Sequence, residues 1–262
     1  MGVIPVFRRL RGAAALAAVT ALTLLPGVPA QAVANGEDVP DGRYRFSVSL
    51  SMPEITRPNG TTYASACSAA LISTQWIISA GHCFHDGARN RINGAPHYPV
   101  IATAGQATLS GTGGVRREVV EVVQADDTDV ALAKLAEPVP GIRPLRISAT
   151  APAEGDVVRL VGWGSADSTA DLAHRPDRMQ TGRFTVTRHD EHHLYVTGHL
   201  PQRSVSACPY DSGAPLFTER GHGRFELVAT EVGGPACPHE SEETTARADV
   251  LRRWVHQHIH RW

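Results

Sequence analysis

Between residue 33 and residue 250 the sequence changes character every few positions. YRFSVSL (44–50), QWIISA (75–80), VVRLVGWG (157–164), GRFTVTR (182–188) and RFELVATEV (224–232) are short runs rich in β-branched and aromatic residues, set among Gly, Pro, Asn and Asp turns. Runs of that length and composition predict an all-β sandwich or barrel. One segment departs from the pattern. From Asp249 through VLRRWVHQHIHRW, residues Val250, Trp254, Val255 and Ile259 fall on one face of a helix, with Asp249 as its N-cap. The proline-bearing stretch AEPVPGIRPL (136–145) is the one visible internal boundary and links two β halves. A chain of 262 residues with 42% hydrophobic content buries a substantial core. Its net charge of −1 gives no electrostatic footprint for a nucleic-acid partner.

Residues 1–32 read as an export signal, to be set aside before fold reasoning. Arg8, Arg9 and Arg11 form a basic region, Gly12 to Leu25 is apolar, and Ala30-Gln31-Ala32 supplies small residues for cleavage. The apolar stretch is shorter than the ~20 residues a membrane span needs. The expected product is secreted, extracellular and free of the membrane once the signal is removed. Of the 25 basic residues only Lys134 is lysine, a composition that suggests a GC-rich bacterial source.

Export gives the four cysteines a meaning, because disulfides persist in oxidising compartments. Of three possible connectivities, the local pairs Cys67 with Cys83 and Cys208 with Cys237 are favoured, each flanking one hydrophobic segment. Zinc is the rival reading, but no CxxC pair exists. RHDEHH (188–193) and the His256/His260 pair carry ligand-type side chains, yet the first reads as a hairpin tip and the second as a solvated helix face. No metal or cofactor is expected.

Three segments carry chemistry. SAGHC places His82 at the end of an apolar strand, TDVALAKL places Asp129 at the head of another, and CPYDSGAPL places Ser212 on a glycine-bearing turn. A serine hydroxyl is a weak nucleophile. It needs a histidine to accept its proton and a buried carboxylate to hold that imidazole in one tautomer. All three residue types are present.

In the order His82, Asp129, Ser212, together with CSAALISTQWIISAGHC, DVALAKL, the GWG of Gly162 to Gly164, the nucleophile motif and a tryptophan-bearing terminal helix, the sequence resembles the trypsin-like, chymotrypsin-fold serine proteases from about Val33 to Trp262. The resemblance implies two antiparallel β-barrels, about 33–138 and 139–262, with the triad in the cleft between them and a C-terminal helix. It also implies an oxyanion hole from the N–H groups of Tyr210 and Ser212. Signal cleavage after Ala32 creates a new N-terminus at Val33, in VANG, whose ammonium pairs with Asp211.

Several positions depart from the family pattern. Tyr210 and Ala214 stand where glycines are usual, and Glu231 stands where a serine usually supports the catalytic aspartate. A second carboxylate there is expected either to shift a pKa or to point into solvent. Ser206 occupies the base of the primary pocket, Gly233 one wall, and Thr245 a position where glycine is common. Those three imply a neutral, small to medium apolar preference rather than Arg or Lys. The expected function is a secreted, monomeric serine endopeptidase acting on proteins or peptides and open to proteinaceous inhibitors. The alternative is a catalytically impaired homologue acting as a binding protein.

Overall fold

Strands form where the short β-rich runs lie. The computed structural model describes residues 1–3, 33–221 and 223–259, so the export signal falls almost wholly outside the described residues, as does His260. The strands are β1 (Glu37–Asp38), β2 (Ser47–Thr56), β3 (Thr62–Leu71), β4 (Trp76–Ala80), β5 (Ile101–Ala104), β6 (Val115–Gln124) and β7 (Val130–Leu135), then β8 (Arg146–Ile147), β9 (Val157–Gly162), β10 (Gln180–His189), β11 (His193–Leu200), β12 (Pro215–Arg220), β13 (Arg224–Gly233) and β14 (Glu243–Arg247). One helix, α1 (Arg252–Ile259), follows.

The strands make two closed antiparallel barrels. The first runs β2-β3-β4-β7-β6-β5 and closes where β5 pairs with β2. The second runs β9-β10-β11-β14-β13-β12 and closes where β12 pairs with β9. Two short strands extend it: β1 lies antiparallel on β10, and β8 parallel on β13. The chain therefore begins on the second barrel before it builds the first.

β4 and β7 explain why their sequences look almost continuously apolar rather than alternating. Ala131, Ala133 and Leu135 face the core of the first barrel, whereas Val130 and Leu132 face a second core shared between the barrels. On β4, Ile77 packs into the barrel while Trp76 and Ile78 face the shared core. Both faces of each strand are buried, so period-2 polarity disappears. Since β4 and β7 pair directly, their ends deliver His82 and Asp129 to the same edge of the first barrel.

The terminal helix begins later than its sequence suggested. Asp249 spends its carboxylate on Arg247, at 3.1 and 2.8 Å, rather than capping the helix. Val250 is 44% exposed, and the packed face is Leu251, Trp254, Val255 and Ile259. The 188–193 segment is a tight hairpin whose Asp190 accepts the N–H groups of His192 and His193 at 2.9 and 2.7 Å.

Candidate active site

β4 ends at Ala80 and passes into a single 3-10 turn, Gly81–Phe84, that carries His82. Ala80 pairs with Val130, so the turn sits against the residue that precedes β7, and Gly81 N–H donates to the Asp129 carbonyl at 3.0 Å. Asp129 then uses both carboxylate oxygens on one histidine. Oδ1 accepts the His82 N–H at 2.8 Å and Oδ2 faces Nδ1 at 2.6 Å. An ionised acceptor there requires the proton on Nδ1, which leaves Nε2 as the basic nitrogen. Burial pushes the Asp129 carboxyl upward, but the hydrogen bonds and charge of His82 outweigh it, and the group is held below the ordinary carboxylate value. Gly81 is required by space: a Cβ there would meet Gln124 Oε1 at 2.5 Å and Asp129 Oδ1 at 2.8 Å.

The Ser212 turn reaches the same place from the second barrel. A disulfide joins Cys67 on β3 to Cys83 in the His82 turn. The next residue on β3, Ser68, donates its N–H to the Ser212 carbonyl at 2.8 Å. One short piece of β3 thus holds both the histidine turn and the nucleophile turn. Gly213 sits at φ +83, and a Cβ there would strike Ser79 Oγ at 2.0 Å and the Ser68 carbonyl at 2.1 Å. A second disulfide, Cys208–Cys237, braces the other side of the turn.

Tyr210 takes the left-handed backbone usually left to glycine, at φ +77. Its hydroxyl donates to the Ala170 carbonyl, the Arg175 guanidinium lies 5.5 Å from its ring, and its own carbonyl accepts Ser68 Oγ at 3.2 Å. The phenol is fastened to the 165–175 loop.

Asp211 is fully buried. Its oxygens accept the N–H groups of Gly164 at 2.8 Å and Cys208 at 3.0 Å. Burial dominates and raises its pKa to about 7, against those two donors and the charge of Arg175. A Cβ on Gly162 or Gly164 would lie 2.1 or 2.2 Å from this carboxylate, which gives the GWG motif a physical meaning: its glycines make the room that Asp211 occupies. Arg175 is itself half-buried, donates Nε to the Trp163 carbonyl, and has its pKa lowered by desolvation to about 10. Val33 is buried among Val158, Leu160 and Val205. The Ala34 carbonyl accepts the Ser206 N–H at 3.2 Å and Asn35 Nδ2 donates to Ser204 Oγ at 3.0 Å, so residues 34 and 35 lie along the loop segment that leads to Asp211.

Beside Ser212 opens a cavity of about 280 Å³, bordered by Ser168, Ala207, Glu231, Gly233 and Gly234 among others. Its acids were only half legible. Glu231 is neither solvated nor among the groups that act on Asp129. It is 2% exposed, with Oε1 accepting Gly233 N–H at 2.9 Å and Oε2 unpartnered. Burial, followed by the charges of Glu243 and Asp211, raises it well above the ordinary carboxyl range. Glu243, 1% exposed, lies behind two residues of the cavity wall: Oε1 accepts the Ala207 N–H at 2.7 Å, and Oε2, also unpartnered, lies where a side chain on Gly234 would have to go. Burial raises its pKa as well. His239 Nε2 stands 3.2 Å from Glu243 Oε1, and Ser206 Oγ accepts the His239 N–H at 3.3 Å. Thr245 turns its hydroxyl to the Leu194 carbonyl at 2.7 Å, within the barrel wall.

A family model described as Trypsin matches residues 33–255. The chain belongs to the trypsin family. Among its relatives, serine protease SP24D of Anopheles gambiae is 30% identical over 244 residues, covering 88% of this chain and 82% of that protein. Snake venom serine protease catroxase-1 of Crotalus atrox is 26% identical over 195 residues, 67% of this chain and 70% of that protein. Transmembrane protease serine 9 of Rattus norvegicus is 30% identical over 213 residues, 74% of this chain. The chain spans 19% of that rat protein and 52% of the mouse transmembrane protease serine 11C, so it matches only part of the mammalian relatives. These animal proteins do not point to the bacterial source that the arginine-rich composition suggested.

Within this trypsin-family framework, the structure brings His82 and Asp129 into direct contact and sets the Ser212 carbonyl 3.7 Å from Sγ of Cys83, the residue next to His82. Sequence reasoning missed Glu243, His239 and Arg175. The run ESEETT carried a signal for the first, since three acids after a cysteine invite the question of which one is buried, but only the pairing of Glu231 with Thr245 across β13 and β14 fixes which side chain turns inward, towards Ala207 and Gly234.

Proposed function

We propose that this chain is a secreted serine endopeptidase that hydrolyses peptide bonds through an acyl-enzyme on Ser212. The observation that carries the reading is the pair of hydrogen bonds from His82 to Asp129, which holds the imidazole with Nε2 free to act as base. His82 takes the Ser212 proton as Oγ attacks the carbonyl carbon, then gives it to the leaving amine; water repeats the sequence to release the acid. Asp129 orients the ring and stabilises its charged form. The N–H groups of Tyr210 and Ser212 donate to the oxyanion. Supporting this, neither N–H donates to another backbone carbonyl among the described residues. Export rests on the character of residues 1–32 and fits the two disulfides. Cleavage after Ala32 frees a Val33 ammonium for Asp211, the chain then works as a monomer, and proteinaceous inhibitors compete for its cleft.

Labelling with a fluorophosphonate tests the mechanism. Ser212 is expected to be modified, with labelling abolished in Ser212→Ala and peptidase turnover lowered on the order of 10⁴-fold or more. A chain that folds but resists the probe is a binding protein built on a protease fold.

The primary pocket takes a cationic side chain. Ser206, Gly233 and Thr245 together implied a neutral preference, but Glu243 lies directly behind the wall of the same cavity, a buried carboxyl bonded to Ala207 with its spare oxygen pressed against Gly234. A substrate guanidinium or ammonium supplies the missing partner and ionises it, so preference for Arg or Lys strengthens as pH rises towards the raised pKa of Glu243. Matched substrates differing only at that side chain read this out. Glu243→Gln is expected to lose the Arg/Lys preference by about tenfold or more while a small ester is still hydrolysed, because a buried hydrogen bond to a charged group is worth about 1.5–3 kcal/mol.

A further inference from the structure

On a surface that shares no residue with the triad or the cavity beside it, the end of the 136–145 linker with the start of β8, the segment 42–46 that leads into β2, and the β12–β13 hairpin enclose a second cavity, of about 590 Å³. Its floor is apolar. Tyr44 and Phe46 are buried there and Phe225 half-buried, in an aromatic cluster with ring centroids 5.5 to 6.1 Å apart. Its rim is basic: Arg45, Arg143, Arg146, Arg220 and Arg224 all border it.

Little in the protein neutralises that rim. Glu226 is the one acid bordering the cavity, and it is engaged by Arg220 at 3.2 Å. Glu219, nearby, is occupied by Arg159 at 3.1 Å, Arg43 at 3.3 Å and the Tyr44 hydroxyl at 2.9 Å. Among the described residues, Arg45 and Arg224 each reach only a carbonyl, those of Gly141 and Gly221 at 3.2 and 3.3 Å. The side chains of Arg143 and Arg146 have no hydrogen-bond or ion-pair partner among the described residues. The hairpin also sets Arg220 directly opposite Arg224, a like-charge cross-strand pair that costs stability. A chain whose net charge is −1 has concentrated five guanidiniums around one apolar hollow. Such breaches of local preference are expected at functional sites.

We propose that this cavity is a docking site for an acidic polypeptide segment that carries a large apolar side chain between its carboxylates. The apolar side chain fills the aromatic floor, and the guanidinium forks take carboxylates in paired hydrogen bonds. The floor sets the choice of partner, because a sulfated sugar offers anions but no apolar anchor. The chain's own first residues cannot serve, since Arg8, Arg9 and Arg11 make them basic. A partner or substrate held here is presented to the rest of the molecule at raised effective concentration.

The test uses the full chain carrying Ser212→Ala, so that it does not depend on turnover. Its probe is a fluorescein-labelled short peptide with one phenylalanine flanked by glutamates on both sides. Saturable binding by anisotropy is expected, weakening with added salt and by about tenfold or more in Arg143→Ser and in Arg146→Ser, whose exposed side chains leave the melting temperature unchanged. Replacing the peptide phenylalanine by serine is expected to weaken binding comparably. The proposal is overturned if the peptide does not bind, or if the arginine variants bind it as well as the parent. It is equally overturned if the phenylalanine is irrelevant and a heparin-derived oligosaccharide binds more tightly, which would make the rim a general polyanion surface.

Discussion

Tyr210 holds a backbone conformation that costs an L-residue roughly 1–2 kcal/mol, and the bond from its hydroxyl to Ala170 offsets part of that cost. The hydroxyl is committed to the 165–175 loop, and on the proposed mechanism the phenol then leaves the oxyanion space clear. Tyr210→Gly removes strain and anchor together. On a small ester its kcat/KM is therefore expected to stay within roughly tenfold of the parent, about 1.4 kcal/mol; a gain of a hundredfold or more would mean that the tyrosine had turned an oxyanion donor away. Asp129→Asn tests the other end of the machinery. The amide presents a donor to His82 Nδ1, favours the wrong tautomer, and is expected to lower kcat about 10⁴-fold. Residues of this kind were legible because their chemistry is local: a histidine before a cysteine, an aspartate before an apolar run, a serine before a glycine. Glu243 was not, because its role depends on which of two neighbouring strands turns which face inward.

At the scale of elements, a strand end and a crosslink place the histidine. The 3-10 turn of His82 is anchored by β4 on one side and by Cys83 on the other, and β3 then passes the constraint to Ser212. Removing the crosslink by paired Cys67→Ala and Cys83→Ala, which opens a loop with a sequence separation of 16, is expected to lower stability by about 3 kcal/mol in chemical denaturation. Activity should fall further than stability alone explains, since the turn carrying His82 loses its tie to the strand that holds the nucleophile. Element type was readable from the sequence wherever β-branched runs met turn residues. The helix start was misread because an aspartate that looks like a cap is paired with Arg247, two residues before it at the end of β14.

For the whole molecule, three buried carboxyls share one region, and their titration sets how stability follows pH. Asp211, with its pKa raised to about 7, and Glu231 and Glu243, raised by burial, all hold protons in the folded chain at pH values where the unfolded chain, with carboxyls near 4, has released them. The folded state binds more protons, so stability falls as pH rises from about 4 through the raised values. Thermal melts of the chain carrying the signal segment are expected to show a melting temperature that declines from pH 5 to pH 8. A chain beginning at Val33 is expected to decline less, because an ammonium beside Asp211 favours its ionised form; that gain is present below the unfolded α-amino value of about 7.7–8.0 and disappears as pH climbs through the raised folded value. The order of assembly has a further effect. β1, at the front of the chain, is laid on the second barrel, while α1, at its back, packs through Val255 and Ile259 into the same core as Trp76 and Ile78 of the first. Each half is thus fastened by the other half's loose end, in the manner of two hands clasping opposite wrists. A protease nick within 136–145 should consequently yield two fragments that migrate as one particle under native conditions and part only in denaturant, and neither half expressed alone should reproduce the fold it has in company.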